Sequence, residues 1–316
     1  MTDTQNEVFK TPVNKIRLFE HGAPGSQNLK LTRKYYTEDM PDGRVKHIVQ
    51  NITDPDIVPY IPDGIGNSAE AERIPAVLII PGGAFRRLVY NFEGEDVAKW
   101  LNSMGIAAFV LECRLPSDEH DNAEDVPLID AMRAMRVIRG RAQEFGIDEA
   151  KIGVMGFSAG GFMAALLSTA YESDVYADYK YKDEYDKLAA RPDFAVCSYP
   201  VISIDDCIEA GKRYMSEEQV LEIINDSETK ILHKYNPDKL VRPDMPPVFI
   251  CETDDDRTTL SENSVGFYMA ARKAGVSAEL HIFRTGGHGY GCGDDFAQTG
   301  EWKVLFTKWI KSIGII

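Results

Sequence analysis

Ser158 is the residue whose neighbours best suit it to nucleophilic chemistry. It is the centre of a G-x-S-x-G pattern at 156–160, which follows a predicted strand at 151–155 and precedes a predicted helix at 162–170. The glycines let strand and helix approach without Cβ clashes, and a serine in such a turn has a strained backbone. The pattern also occurs by chance, so its position between a strand and a helix is what favours catalysis. We predict that the turn presents Ser158 as a nucleophile at the carboxyl end of a sheet.

A glycine-rich loop follows an earlier predicted strand at 76–80. The loop contains Gly82 and Gly83, and it lacks both the G-x-x-x-x-G-K-[ST] and the G-x-G-x-x-G spacing of phosphate-binding loops. On its own, such a loop is commonly a tight turn. Its backbone N–H groups can nevertheless come close to an oxyanion, because no side chains intervene. Since Ser158 lies two strands downstream, we interpret the loop as an oxyanion hole.

His288 is the histidine best placed to act as a general base. It lies in the glycine-rich stretch 286–291, directly after a predicted strand at 278–283. Flanking glycines let an imidazole project from a tight turn towards a serine on another loop. The other histidines are interpreted as a structural group within that strand (His281) and as surface groups in polar segments (His21, His47, His120 and His233).

The third candidate group is the acidic run Asp254, Asp255 and Asp256, just past a predicted strand at 248–251. One of these carboxylates could accept the imidazole N–H and stabilise the imidazolium. A solvated acidic loop is an alternative interpretation. A calcium site is disfavoured, since the run lacks the D-x-D-x-D-G spacing and the distal glutamate. The order serine, aspartate, histidine along the chain is that of α/β-hydrolases and favours a triad.

The elements that must position these residues alternate between short apolar runs and amphipathic helices. Predicted strands at 76–80, 106–111, 151–155, 194–199, 248–251 and 278–283 alternate with predicted helices at 94–104, 127–145, 162–170, about 259–274 and about 297–313. Apolar runs of this kind, each followed by a helix, indicate a parallel sheet that is covered on both faces. We therefore predict the fold class α/β, with a mostly parallel, doubly wound sheet.

Three segments depart from that alternation. Residues 1–45 are polar and are predicted to form an irregular N-terminal extension, followed by a half-exposed strand at 46–52 and a single domain over 46–316. Residues 171–190 are rich in Tyr, Asp and Lys. Residues 203–243 are charged and predicted helical. Because an insertion at 203–243 cannot join the central sheet, we predict that it forms a small cap over the pocket.

Composition and charge exclude several classes of protein. The 316 residues are 44% hydrophobic and 27% charged, with a net charge of -15, so the field disfavours nucleic acids and anionic membranes as partners. The longest apolar runs are strand-length, which predicts no membrane span. The five cysteines lie far apart without C-x-x-C, so neither disulfides nor a metal site is expected. The first residues show no signal-peptide pattern, and we expect a cytoplasmic protein.

The chain resembles the α/β-hydrolases, and more narrowly the bacterial esterases grouped with acetyl-xylan esterases and related carbohydrate esterases. The resemblance spans roughly residues 45–313. It is carried by several stretches: 80–85 (IPGGAF), 93–101 (EGEDVAKWL), 114–116 (RLP), 153–161 (GVMGFSAGG), 246–249 (PPVF) and 286–291 (GGHGYG).

This resemblance implies a role for each matching residue. Ser158 is the nucleophile and His288 the general base and acid. The family's paired aspartates place the triad acid at Asp255, with Asp256 as the alternative. The oxyanion donors map to the N–H groups of Ala159 and Gly83, with Gly82 as a third candidate. Phe85 and Phe157, in the same motifs, are predicted to bind substrate.

There are also departures from the family pattern. Ala84 stands where a third glycine is frequent, Glu252 stands where histidine is frequent, and the segment 203–243 is longer than expected.

We therefore expect a serine carboxylesterase that removes short acyl groups, most simply acetyl, from small-molecule esters of sugars or xylo-oligosaccharides. No cofactor is expected. The alternative enzyme is a serine peptidase or aminoacyl-ester hydrolase of the oligopeptidase type, although the roughly 75 residues before the core are too few for a propeller domain. A hydrolase-like scaffold without chemistry is the alternative outside enzymes. The sequence leaves the oligomeric state open, a homo-oligomer included.

Overall fold

The computed structural model describes residues 9, 12–65, 72–226, 229–293 and 298–316. Within these ranges the larger of two sheets has eight strands, with spatial order β1-β4-β7-β5-β8-β9-β10-β11 when strands are numbered along the chain. The strands from β7 to β11 run parallel, whereas β1 and β4 are antiparallel at one edge. Their bounds are β1 Ile16–Arg17, β4 Asp56–Tyr60, β5 Ile74–Ile80, β7 Ala107–Glu112, β8 Ile147–Phe157, β9 Ala195–Ser198, β10 Val248–Thr253 and β11 Ala278–Phe283.

A small antiparallel sheet consists of β2 (Lys34–Asp39), β3 (Val45–Gln50) and β6 (Leu88–Val89). The early strand predicted at 46–52 corresponds to β3. The expectation that residues 1–45 are irregular is wrong for β1 and β2: β1 pairs with β4, about 40 residues further on, and β2 pairs with the next strand, β3, so that their backbone groups are satisfied. Because β6 follows the Gly82-Gly83 loop, its pairing with β3 holds that loop from one side.

Helices cover both faces of the large sheet. Helices α1 and α9 contact each other through the rings of Trp100 and Trp302, and α2 packs against α4 on the other side. The predicted helix 127–145 is interrupted at Arg141, and the predicted helix 94–104 begins after a short π-helical turn at Asn91–Glu95. The helices are α1 Asp96–Ser103, α2 Val126–Gly140, α3 Ala142–Phe145, α4 Ala159–Ala170, α5 Ile204–Tyr214, α6 Glu217–Asn225, α7 Lys230–Lys234, α8 Ser261–Lys273 and α9 Glu301–Ser312.

The strand order brings the chemistry-bearing loops to one place. The chain leaves β5 towards β7 on one side and leaves β8 towards β9 on the other, so the loops after β5 and β8 diverge at the centre of the sheet. Such a switch point opens a crevice at the carboxyl ends of the strands. The register pairs Ile80 with Gly156, which sets the glycine-rich loop directly beside the Ser158 turn.

The core is continuous and both faces of the central strands are buried: every residue of β7 is inaccessible to solvent. This is the predicted α/β architecture. The insertion predicted at 203–243 contains α5, α6 and α7, between β9 and β10. None of the helices that the structure describes has the length and apolar character of a membrane span.

Candidate active site

Ser158 lies at the turn between β8 and α4 in a backbone conformation that is rare for a non-glycine residue, with φ 53° and ψ −119°. The flanking positions must be glycine, because backbone atoms approach them too closely to leave room for a Cβ. A Cβ on Gly156 would lie 1.9 Å from the carbonyl oxygen of Gly160, and one on Gly160 would lie 2.0 Å from that of Ile80. The two glycines of the motif therefore make the tight turn sterically possible. The turn places the Ser158 side chain at the carboxyl edge of the sheet.

His288 joins Ser158 to a buried carboxylate. Its Nε2 lies 2.8 Å from Ser158 Oγ, and its Nδ1 lies 2.6 Å from Asp256 Oδ2. A carboxylate can only accept, so Nδ1 carries the hydrogen and Nε2 is left to accept the serine proton. Thr259 Oγ1 lies 3.2 Å from the same Nδ1. The arrangement has the geometry of a Ser-His-Asp triad.

Asp256, and not Asp255, lies against His288. Asp256 is 2% exposed, and its Oδ1 accepts the N–H groups of Thr258 and Thr259 at 2.7 and 2.9 Å. Burial alone would raise the pKa of Asp256, but the hydrogen bond and charge of His288, with those N–H groups, hold it below its usual value. Asp256 is thus a carboxylate that stays ionised beside the imidazole.

The prediction of Asp255 as the residue next to His288 is wrong. Asp255 is exposed, and its Oδ1 accepts the N–H groups of Gly286 and Gly287 at 2.9 and 2.8 Å. Neighbouring residues in the turn after β10 point in different directions, so a shift of one position exchanges an imidazole partner for a backbone partner. Asp255 fastens the loop that carries His288.

The three predicted oxyanion donors differ in the hydrogen bonds that their N–H groups make. Gly83 and Ala159 line the same cavity as Ser158, and within the described residues neither N–H donates to another group. The third candidate, Gly82, does not fit, because its N–H donates to Glu93 Oε2 at 2.8 Å. Gly82 still has to be glycine, since a Cβ there would lie 2.9 Å from the Cβ of Ser158.

A cavity of about 440 Å³ opens beside Ser158, within the usual range for a small-molecule pocket. The loop after β5 forms one wall, with Phe85, and the insertion forms the other, with Cys207, Met215 and Leu232. Phe157, the other predicted substrate contact, is not part of it. Its side chain is fully buried and packs against the rings of Tyr199 and Trp302, because the strand turns that residue towards the core.

Glu93 lies at the site and was given no role in the sequence analysis. Glu93 is 5% exposed and accepts the Tyr199 hydroxyl at 2.9 Å as well as the Gly82 N–H. Burial raises the pKa of Glu93, and the charge of His288 and the two hydrogen bonds offset part of that rise. The signal that could have found Glu93 is its place in a stretch that carries the family resemblance.

Glu252 is a second buried carboxyl group behind the site. Its oxygens accept from the Thr253 N–H at 2.9 Å and the Ser264 hydroxyl at 3.2 Å. Burial and the nearby Asp256 charge raise the pKa of Glu252 well above its usual value. In the residue that departs from the family pattern, the protonated form is therefore favoured by burial and by the neighbouring Asp256.

Fold and site together define an α/β-hydrolase, as the resemblance predicts: a mostly parallel sheet, a strained serine after a central strand, and histidine and aspartate on later loops. Comparison with known proteins narrows this class. The chain belongs to the BD-FAE family, whose model matches residues 65–270.

Several similar proteins are known. An acetylxylan esterase of Xylanibacter ruminicola is 30% identical over 243 residues, which are 75% of this chain and 45% of that protein. Endo-1,4-beta-xylanase B of Butyrivibrio fibrisolvens is 31% identical over 220 residues, 69% of this chain and 33% of that protein. This chain thus spans less than half the length of either relative.

Solved structures show the same fold. The acetyl ester-xyloside bifunctional hydrolase of Caldicellulosiruptor lactoaceticus superposes with a TM-score of 0.67 and 36% identity, covering 84% of this chain and 90% of that one. A carboxylesterase of Lactobacillus plantarum has a TM-score of 0.67 at 20% identity, covering 90% and 99%, and supports the fold alone.

Proposed function

We propose that this protein is a serine carboxylesterase that removes acetyl groups from acetylated xylose-containing sugars. The observation that carries the proposal is the position of His288, hydrogen-bonded through one ring nitrogen to Ser158 and through the other to Asp256. The names of two relatives, an acetylxylan esterase and an acetyl ester-xyloside hydrolase, support the substrate class.

In the acylation step, Ser158 Oγ attacks the ester carbonyl carbon while its proton passes to His288 Nε2. The carbonyl oxygen becomes an oxyanion and accepts the N–H groups of Gly83 and Ala159, which give up no other hydrogen bond of the described chain. Asp256 stabilises the imidazolium. The bond to the sugar oxygen then breaks, and His288 gives that oxygen the proton.

In the deacylation step, His288 takes a proton from water, and the resulting hydroxide attacks the acetyl group on Ser158. The same two N–H groups bind the second oxyanion. The bond to Ser158 Oγ then breaks, His288 returns its proton to that oxygen, and acetic acid leaves and ionises to acetate in water. The residues suffice for both steps without a metal or cofactor.

The pocket suits a neutral sugar ester. Its wall combines apolar groups from the insertion with polar groups at the rim, including Gln50 and Arg86. The net charge of -15 is compatible with an uncharged substrate. A cytoplasmic location, a homo-oligomer and a domain boundary near residue 45 stay predictions.

The test is acetate release from acetylated xylan, acetylated xylo-oligosaccharides and 4-nitrophenyl acetate, beside a panel of peptidyl amides. Ser158→Ala should lower kcat by roughly 10⁴- to 10⁶-fold and leave the fold intact. Near-normal turnover by that variant would refute the site. Release from 4-nitrophenyl acetate but from none of the sugars would refute the substrate class, and efficient cleavage of the amides would favour a peptidase.

A further inference from the structure

Glu93 lies where the two halves of the site meet, yet it lines no part of the substrate cavity. One of its carboxylate oxygens accepts the Gly82 N–H at 2.8 Å and the other accepts the Tyr199 hydroxyl at 2.9 Å. The proposed steps use neither bond. We propose that Glu93 is a positioning residue, which aligns the oxyanion loop and, through Tyr199, couples it to the loop that carries His288.

The Gly82-Gly83 loop has a backbone that is intrinsically free to rotate, because glycine lacks a side chain. The Gly82 carbonyl accepts the Val89 N–H at 2.9 Å, which fixes the plane of the Gly82-Gly83 peptide. Glu93 fixes the preceding peptide through the Gly82 N–H. With both planes held, the direction of the Gly83 N–H is fixed, and Gly83 itself lines the cavity beside Ser158.

The space around Gly82 is closed on two sides. A Cβ on Gly82 would lie 2.7 Å from Glu93 Oε2 and 2.9 Å from the Ser158 Cβ, so carboxylate and serine enclose this glycine from two sides. Only a residue without a side chain can pass between them. The carboxylate therefore fills the place that a side chain would occupy and supplies the hydrogen bond that keeps the loop there.

Tyr199 extends the contact from Glu93 to the loop that carries His288. Its hydroxyl accepts the Gly291 N–H at 3.0 Å, and its ring lies edge-on to the His288 ring at 5.0 Å. The residue is fully buried with a φ of 36°, an unusual conformation outside glycine. Hydrogen bonds of Glu93 and Tyr199 thus connect the Gly82-Gly83 loop, through Gly291, to the loop that carries His288.

The inference rests on the proposed esterase activity, and its test uses variants of Glu93 in the full chain with 4-nitrophenyl acetate. Glu93→Ala removes both hydrogen bonds and should lower kcat by roughly 10²- to 10³-fold, like the loss of one oxyanion donor. KM should change less than about threefold, because the oxyanion exists only in the transition state. Rates are expressed per active site, counted by covalent labelling of Ser158 with a fluorophosphonate.

Two further variants separate positioning from a structural role. In Glu93→Gln the carbonyl can accept the Gly82 N–H and the amide can donate to Tyr199, so kcat should stay within about tenfold of the wild type. Glu93→Asp keeps the charge but is too short for both contacts and should lose activity like alanine. The matched control is Glu95→Gln, two residues away, where a half-exposed carboxylate pairs with Lys99; its kcat should be unchanged.

A trifluoromethyl ketone, whose adduct with serine carries an oxyanion, gives an independent measurement. Its inhibition constant should rise in Glu93→Ala by the same factor by which kcat/KM falls. The inference is overturned if labelled sites of the alanine and aspartate variants keep wild-type kcat and inhibition constants. If the wild-type enzyme itself releases no 4-nitrophenol, the proposed function fails instead. Should Glu93→Ala not fold, the aspartate and glutamine variants decide.

Discussion

Two clusters of buried polar groups lie at the carboxyl edge of the central sheet, and they use their hydrogen bonds in opposite ways. In the first, Arg114 after β7 and Asp130 on α2 are both completely buried. The guanidinium donates to both carboxylate oxygens and also to Ser26 and the Pro24 carbonyl, and the Arg114 N–H donates to Asp130 as well. This network uses its donors entirely within the protein.

The second cluster, around Ser158, contains backbone N–H donors that have no acceptor in the described chain. Gly83 and Ala159 line the cavity, and their N–H groups have no partner in the described chain. The backbone has positive φ at Ser158, Phe85 and Tyr199, which is strained for residues other than glycine. Free donors and strain cost stability, so they persist only where the surroundings enforce them. The contrast predicts that changes at the first cluster lower stability, and that changes at the second lower turnover.

The largest effect in this comparison is expected from Asp256→Asn. The carboxamide would donate to His288 Nδ1, which places the ring hydrogen on Nε2 and prevents that nitrogen from taking the Ser158 proton. We expect kcat to fall roughly 10⁴-fold at neutral pH, measured per labelled serine. Asp255→Asn is the matched control, since its carbonyl can still accept from Gly286 and Gly287; kcat should stay within about tenfold. A larger loss in Asp255→Asn than in Asp256→Asn would reverse the assignment.

The choice between Asp255 and Asp256 shows what local sequence patterns cannot predict. Ser158 and His288 could be predicted because glycines two residues before and after the serine and beside the histidine determine the turn locally. The choice between Asp255 and Asp256 depends on how the turn after β10 meets the loop 286–291, which is 30 or more positions away. A family pattern read one position off therefore selects the wrong carboxylate.

Long-range pairing explains the other differences. Phe157 sits in the motif next to Ser158, but the strand directs its side chain to Trp302 in the core, a contact between distant segments. Glu93 resembles any exposed glutamate until Gly82 and Tyr199 enclose it. The strand β6 has two residues and exists only through its partner β3, so no periodicity could show it. The alternation of parallel strands with helices, by contrast, could be predicted from the sequence because each buried apolar run extends over several residues.

The next largest effect is expected in the first cluster, at Arg114 and Asp130. Arg114→Met leaves the Asp130 carboxylate buried without its partner and should lower the free energy of unfolding by about 3–5 kcal/mol, measured by urea denaturation. Turnover per labelled serine should change less than about threefold. The double variant Arg114→Met/Asp130→Leu, which removes both charges, should regain part of that stability. If Arg114→Met lowers kcat as strongly as Asp256→Asn, the separation between the two clusters does not hold.

A smaller, pH-dependent effect is expected from His120, which is buried, so its interpretation as a surface group is wrong. Its Nδ1 lies 3.1 Å from Ser26 Oγ, beside the Arg114–Asp130 cluster. Burial, with the Arg114 charge, lowers the pKa of His120 to about 4, against an ordinary value near 6.5. Between those values the unfolded chain binds a proton that the native state does not, so this group makes stability rise with pH.

His120→Gln should therefore reduce the loss of stability between pH 7 and pH 4.5, measured as urea midpoints of both proteins at both pH values. The difference between variant and wild type is the relevant quantity, because burial raises the pKa of Asp118 to about 6 and gives a slope of the opposite sign in the same range. Identical pH dependence in the two proteins would contradict the assignment to His120.

The smallest effect is expected at an exposed ion pair, which joins a guanidinium and a carboxylate as the buried Arg114–Asp130 pair does. Arg86, after the oxyanion loop, forms an ion pair with Asp226 of the insertion, and both side chains are partly exposed at the rim of the cavity. Asp226→Asn should lower the free energy of unfolding by less than about 1 kcal/mol, because water and salt screen exposed charges. The difference should shrink further in 1 M salt, whereas that of Arg114→Met should persist. A loss at Asp226 as large as at Arg114 would show that this ion pair, and not burial in the core, fastens the insertion to the oxyanion loop.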